Sequence, residues 1–144
     1  MAPRCANAVG AVNGKGEIVD VVTILAQNEP VRVDAETLEG LYRQLGDINA
    51  EDIVCRAMEE LAVKLAQVER FYREGRFGDI RKAARMIVAI AEQIGMKLLA
   101  RVAGDLKACI DMGDEIALAA VLARLIRTGE RSLTEIWDLQ DLSI

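Results

Sequence analysis

Histidine is absent from the 144 residues of this chain. That absence excludes His-based metal sites, Ser–His and Cys–His nucleophilic pairs, and any phosphohistidine. Aromatic side chains are scarce at 3%, with two Phe, two Tyr and one Trp. A β-sandwich or barrel usually draws on more of them, whereas Ala, Leu, Ile, Glu and Arg suit packed helices. A basic excess is lacking too: 18 Lys and Arg stand against 23 Asp and Glu, a net charge of −5. With no basic surplus to displace counterions from phosphates, a nucleic-acid binder is not expected. No apolar run approaches the roughly 18 residues of a membrane span. The N-terminal Ala/Val stretch, broken by Asn7, is too weak for a signal peptide. Cys5, Cys55 and Cys109 are odd in number and widely spaced, so they do not read as a disulfide framework. The expectation is a soluble cytoplasmic protein, with Cys55 and Cys109 as small buried apolar residues.

What is present describes a folded chain. Hydrophobic residues make up 52% and charged residues 28%, which argues against disorder. A chain of this length can remove roughly 70% of its unfolded surface from water within one core. Residues 1–33 differ from the rest. Ala8–Val12 and Glu17–Leu25 are rich in Val and Ile and flank Asn13-Gly14-Lys15-Gly16, a pattern for a short hairpin. The run from Gly10 to Gly16 imitates a phosphate-binding loop and fails twice. Three residues separate Gly10 from Gly14 where four are required, and Gly16 stands where a Ser or Thr hydroxyl should reach magnesium.

Residues 34–144 read as helical. Asp34 caps a first helix that Gly46 stops near Leu45. Asn49 is the expected cap of a long second helix, with Glu51 and Asp52 in its first turn. Val54, Met58, Leu61, Leu65, Val68 and Tyr72 then alternate at steps of four and three, drawing one apolar stripe. Gly75 and Gly78 mark a break. A third helix runs from about Asp79 to Ile94, and a fourth from Met96 to Met112. Asp114 caps a fifth that reaches towards Trp137, with Gly129 and the box Ser132-Leu133-Thr134-Glu135 as a candidate break. Short connections make successive helices antiparallel. The fold class is therefore all-α, an up-down four-helix bundle with the first helix across one end.

The third helix is unlike the others. At about 100° per residue, Ile80, Ala83, Ile87, Ile90 and Ile94 share one direction, the core face. The opposite direction centres on Arg85, surrounded by Gly78, Arg81, Val88, Ala89 and Glu92, with Lys82 at the margin. An ordinary solvated face would carry charge at positions 88 and 89. A helix apolar on both sides lies deep in a structure or presents its second face to a partner. The docking-patch reading assigns Arg81, Lys82, Arg85, Val88, Ala89 and Glu92 to partner binding. The bland reading leaves Arg85 as solvated trim.

The stretch from Ala84 to Gly95, followed by Met96 to Leu106, resembles the histidine-containing phosphotransfer domain. That family carries a His-x-Leu-Lys-Gly motif on an exposed helix face, closed further on by a Leu-Gly-like ending. Counting back from Ile94-Gly95 sets Arg85 where the family has its phospho-accepting His. Val88 then stands for the Lys and Ala89 for the Gly. The similarity spans about Val33 to Trp137 and implies the bundle fold and a two-component signalling context. Its relay chemistry is not implied. Guanidinium stays protonated and has no lone pair with which to attack phosphorus.

Other chemistry finds no constellation. A di-metal carboxylate bundle needs inward Glu-x-x-His pairs, and Glu59, Glu60 and Glu69 read as solvated charges. Neither Cys55 nor Cys109 has a base at hand in sequence. The chain is thus expected to be no enzyme and to use no cofactor or metal. The resemblance implies a receiver domain or histidine kinase as partner. The alternative is a homodimer that buries the Arg85 face. Ala117, Ala119, Ala120 and Ala123 are expected at a close helix contact.

Overall fold

Asp34 starts the first helix for the reason its side chain suggests. Its carboxylate accepts from the Glu36 amide at 3.2 Å and from the Thr37 hydroxyl at 2.7 Å. The structure, a computed structural model, describes residues 31–142, and the hairpin expected within residues 8–25 lies outside them. The chain divides into Met1–Pro30 and Val31–Ile144, and five helices occupy the second unit. They are α1 (Ala35–Leu45), α2 (Asp47–Arg73), α3 (Phe77–Gln93), α4 (Lys97–Met112) and α5 (Glu115–Leu142). No strand occurs among the described residues.

Four glycines with positive φ end the helices: Gly46, Gly75, Gly95 and Gly113. Gly113 is the plainest, a left-handed residue whose amide closes back on the carbonyls of α4. Two helix starts differ from expectation. The chain enters α2 at Asp47, so Asn49 lies inside the first turn and donates its amide to the Leu45 carbonyl at 3.0 Å. Phe77 opens α3 two residues early, behind Arg76, which pairs with Asp79 at 2.7 Å and lies over the Phe71 ring. Asp114 does cap α5, accepting from the Ala117 amide at 3.0 Å.

The long α5 has no break. Ser132 is buried and donates to the Thr128 carbonyl one turn back, at 2.7 Å, in place of capping a new helix. Gly129 serves packing. A Cβ there would sit 2.5 Å from Leu65 Cδ1 of α2. The close contact thus falls at Gly129, whereas Ala119, Ala120 and Ala123, expected at such a contact, are exposed.

The pairs α2–α3, α3–α4, α4–α5 and α2–α5 are in contact, so these four helices close a ring. Their core holds Val54, Leu61 and Val68 from α2, and Ile80, Ile87 and Ile94 from the third helix and its turn. Leu99, Val102 and Leu106 come from α4, and Leu125 and Ile136 from α5. The stripe on α2 ends at Val68, because Tyr72 is 36% exposed. With 27 and 28 residues, α2 and α5 outrun α3 and α4, which have 17 and 16. The overhang is on the order of 15 Å at 1.5 Å per residue. The 11 residues of α1 pack on α2, and the segment leading into them is pinned to the α3–α4 turn by the Asp34 amide on the Gly95 carbonyl at 2.8 Å. Gly95 combines a φ of 82° with a backbone so close to Asp34 that a Cβ would meet its carbonyl at 2.9 Å.

Candidate functional site

Burial fixes the orientation of α3. Ile80, Ala83, Ala84, Ile87, Ile90 and Ala91 are all in the core, so the wheel is anchored on one side. The side chains left in water are Lys82, Arg85, Met86, Ala89, Glu92 and Gln93. Their arc centres on Ala89, turned by about 40° from Arg85 at 100° per residue. The turn has a cause. Helix α3 packs on α2 and more extensively on α4, which draws one shoulder of its outer face into the α4 contact.

Arg81 and Val88 lie on that shoulder. Arg81 Nε donates to Asp111 Oδ1 of α4 at 2.6 Å, and Lys107 Nζ stands 3.7 Å from the other carboxylate oxygen. The Arg81 hydrogen bond, helped by both cations, holds the Asp111 carboxyl below its ordinary value of 3.8. Arg81 is therefore engaged within the molecule. Val88 is half-buried and packs against the core. Of the six residues singled out in the sequence, Lys82, Arg85, Ala89 and Glu92 share the open face, and Arg81 and Val88 form its edge.

Met86 is the residue that periodicity missed. It is 43% exposed beside Arg85, where a wheel centred on Arg85 would leave it at the flank. A long apolar side chain next to a lone arginine was the available signal. Lys82 and Arg85 make no ion pair with any described residue. Such a face can offer charge-assisted hydrogen bonds to carboxylates or phosphates, flanked by apolar contact from Met86 and Ala89. It carries no histidine, and the Arg85 guanidinium has no lone pair with which to attack phosphorus.

The remaining chemically notable side chains stand elsewhere. Cys109 is buried, and desolvation, then the charges of Asp114 and Asp105, push its thiol above the ordinary 9.0. That direction works against a thiolate nucleophile. Cys55 is exposed on α2, contrary to the expectation of a buried residue, because the stripe at Val54 and Met58 turns its neighbour outward. Trp137 is also largely exposed, at 60%. Among the described residues no group of three or more carboxylates and cysteines is placed to hold a metal, and no helix is long and apolar enough to cross a membrane. Comparison with family models, with curated proteins and with solved structures returns no match to this chain.

Proposed function

We propose that this chain is a non-catalytic binding module of the phosphotransfer type, which docks a receiver domain or histidine kinase through the outer face of α3 without carrying phosphate. The ring of α2, α3, α4 and α5, joined by short turns, supports an up-down four-helix bundle with α1 as an extra N-terminal helix. The observation that carries the reading is the exposed pair Lys82 and Arg85, unpaired among the described residues, beside Met86 and Ala89. In a chain of net charge −5 this is a cationic, partly apolar face. It suits a partner with an acidic pocket, and Arg85 would set a fixed cation where a phosphoryl group would otherwise sit.

Receiver and kinase domains of the native host, titrated by calorimetry, supply the test. Lys82→Glu with Arg85→Glu should weaken binding at least about tenfold, as expected for reversing charges at an interface. Undiminished affinity, or no binding to any such domain, removes the reading. Exposed Met86 and Ala89 favour one competitor, a homodimer through the same face. Light scattering separates the two, since a dimer that Ala89→Glu dissociates assigns the face to a second copy.

A further inference from the structure

Helix α1 is amphipathic, with Leu38, Leu41, Tyr42 and Leu45 along one side, yet none of its residues is fully buried. Part of the reason is an apolar recess of about 330 Å³ between α1, α2 and α5. Leu38, Val54, Ile136, Leu139 and Ala35 wall it together with the Tyr42 ring, and Glu39 is the charged residue in its lining. Glu39 is exposed and forms no ion pair with any described residue. The volume falls at the lower end of the roughly 300–1,000 Å³ of small-molecule sites, which combine apolar walls with a few orienting polar groups. No residue of α3 takes part.

We propose that this recess binds a small amphipathic cation of the alkylammonium class. Its chain lies against Leu38, Val54, Ile136 and Leu139, and its head group faces the Glu39 carboxylate. Apolar walls alone would accept a hydrocarbon of any charge. The unpaired acid in the lining selects the cation, because an anionic head group there would meet like charge with no compensating base.

Octylammonium and octanoate, two probes of equal chain length and opposite charge, are titrated against the full chain below their aggregation range. Calorimetry is the readout. The expected result is saturable one-to-one binding of octylammonium, about tenfold tighter than octanoate, a difference of roughly 1.4 kcal/mol. Glu39→Gln should remove most of that preference. Ala35→Phe, which fills the recess from an exposed helix position, should abolish saturable binding, with circular dichroism confirming the helical fold. Non-saturating uptake of octylammonium that Glu39→Gln leaves unchanged would reflect only the net negative charge and would overturn the proposal. Equal affinity for the two probes would overturn it as well. A chain that ignores both probes and scatters light as a dimer, dissociated by Leu139→Glu, would assign the recess to a second copy.

Discussion

At the scale of single residues, two glycines inside helices show how surroundings reverse the meaning of one substitution. Gly129 gives its space to Leu65 of α2, whereas a Cβ on Gly104 of α4 would meet nothing within 4 Å. Gly104→Ala should therefore stabilise the protein by about 0.5–1 kcal/mol through backbone entropy and helix propensity. Gly129→Val should cost about 1–3 kcal/mol by overpacking. A Leu65→Ala background should recover part of the loss, because the two sites share one contact. Urea denaturation of the four variants measures all of this. Equal responses at the two glycines would mean that α2 and α5 are not in close contact there. Thr128, one position earlier, has a buried hydroxyl without a hydrogen-bond partner among the described residues.

At the scale of elements, α3 divides its work between two sides. Ile87 is wholly buried and Arg85, two positions away, is exposed. Ile87→Ala should cost about 2–5 kcal/mol from lost burial and a residual cavity. Arg85→Ala should change stability by less than about 0.5 kcal/mol. Similar losses from the two would contradict the orientation of the helix. The clasp between α1 and the α3–α4 turn makes a second, pH-dependent prediction. Lys97 Nζ lies 2.9 Å from Asp34 Oδ2, and that contact, followed by the Thr37 hydroxyl, holds the Asp34 carboxyl below its ordinary 3.8. Asp34 in turn raises Lys97 above its ordinary 10.5. A depressed carboxylate contributes stability that is complete above its unfolded value and lost as pH falls through the folded one. A raised ammonium contributes below its unfolded value and loses it as pH rises through the folded one. The stability gap between the parent and Asp34→Asn should hence be widest near neutrality. It should close on the acid side below the ordinary carboxylate range, and shrink in high salt because Lys97 is 74% exposed. A gap that stays constant through acid would show that the pair contributes nothing.

At the scale of the whole molecule, unequal helix lengths organise the fold. Two long helices and two short ones close the ring, and α1 occupies the end that the short pair leaves open. The outer face of α3 remains uncovered by any described element, and the recess under α1 remains incompletely filled. The chemistry expected of the molecule follows from its residue inventory. Incubation with phosphorylated receivers or with a kinase should leave no acid-labile phosphate on a chain that has no histidine. On the proposed receiver-docking reading, Arg85→His alone should label weakly. Val88 supplies no cation beside the imidazole, and Ala89 still crowds it. Stable labelling of the parent chain would defeat this argument.

Helix content, helix order and most boundaries were determined by the sequence itself. The reason is local, since Gly46, Gly95 and Gly113 with their positive φ and the caps Asp34 and Asp114 act within one turn of where they stand. The inward side of α3 was equally legible, because isoleucines at helical spacing admit one burial direction. Margins were not. Whether Tyr72, Cys55, Val88 or Met86 meets water depends on which neighbouring helix flanks each side, and a wheel carries no record of its neighbours. The outer face of α3 is therefore centred on Ala89 and not on Arg85, because packing on α4 takes up the shoulder that carries Arg81 and Val88. The same holds for Ser132. Its sequence matches a capping box, but an N-cap needs non-helical backbone, and in α5, which packs against α2 and α4, the backbone there is helical. The recess at Glu39 belongs to no local pattern at all, because three separate helices have to converge before it exists.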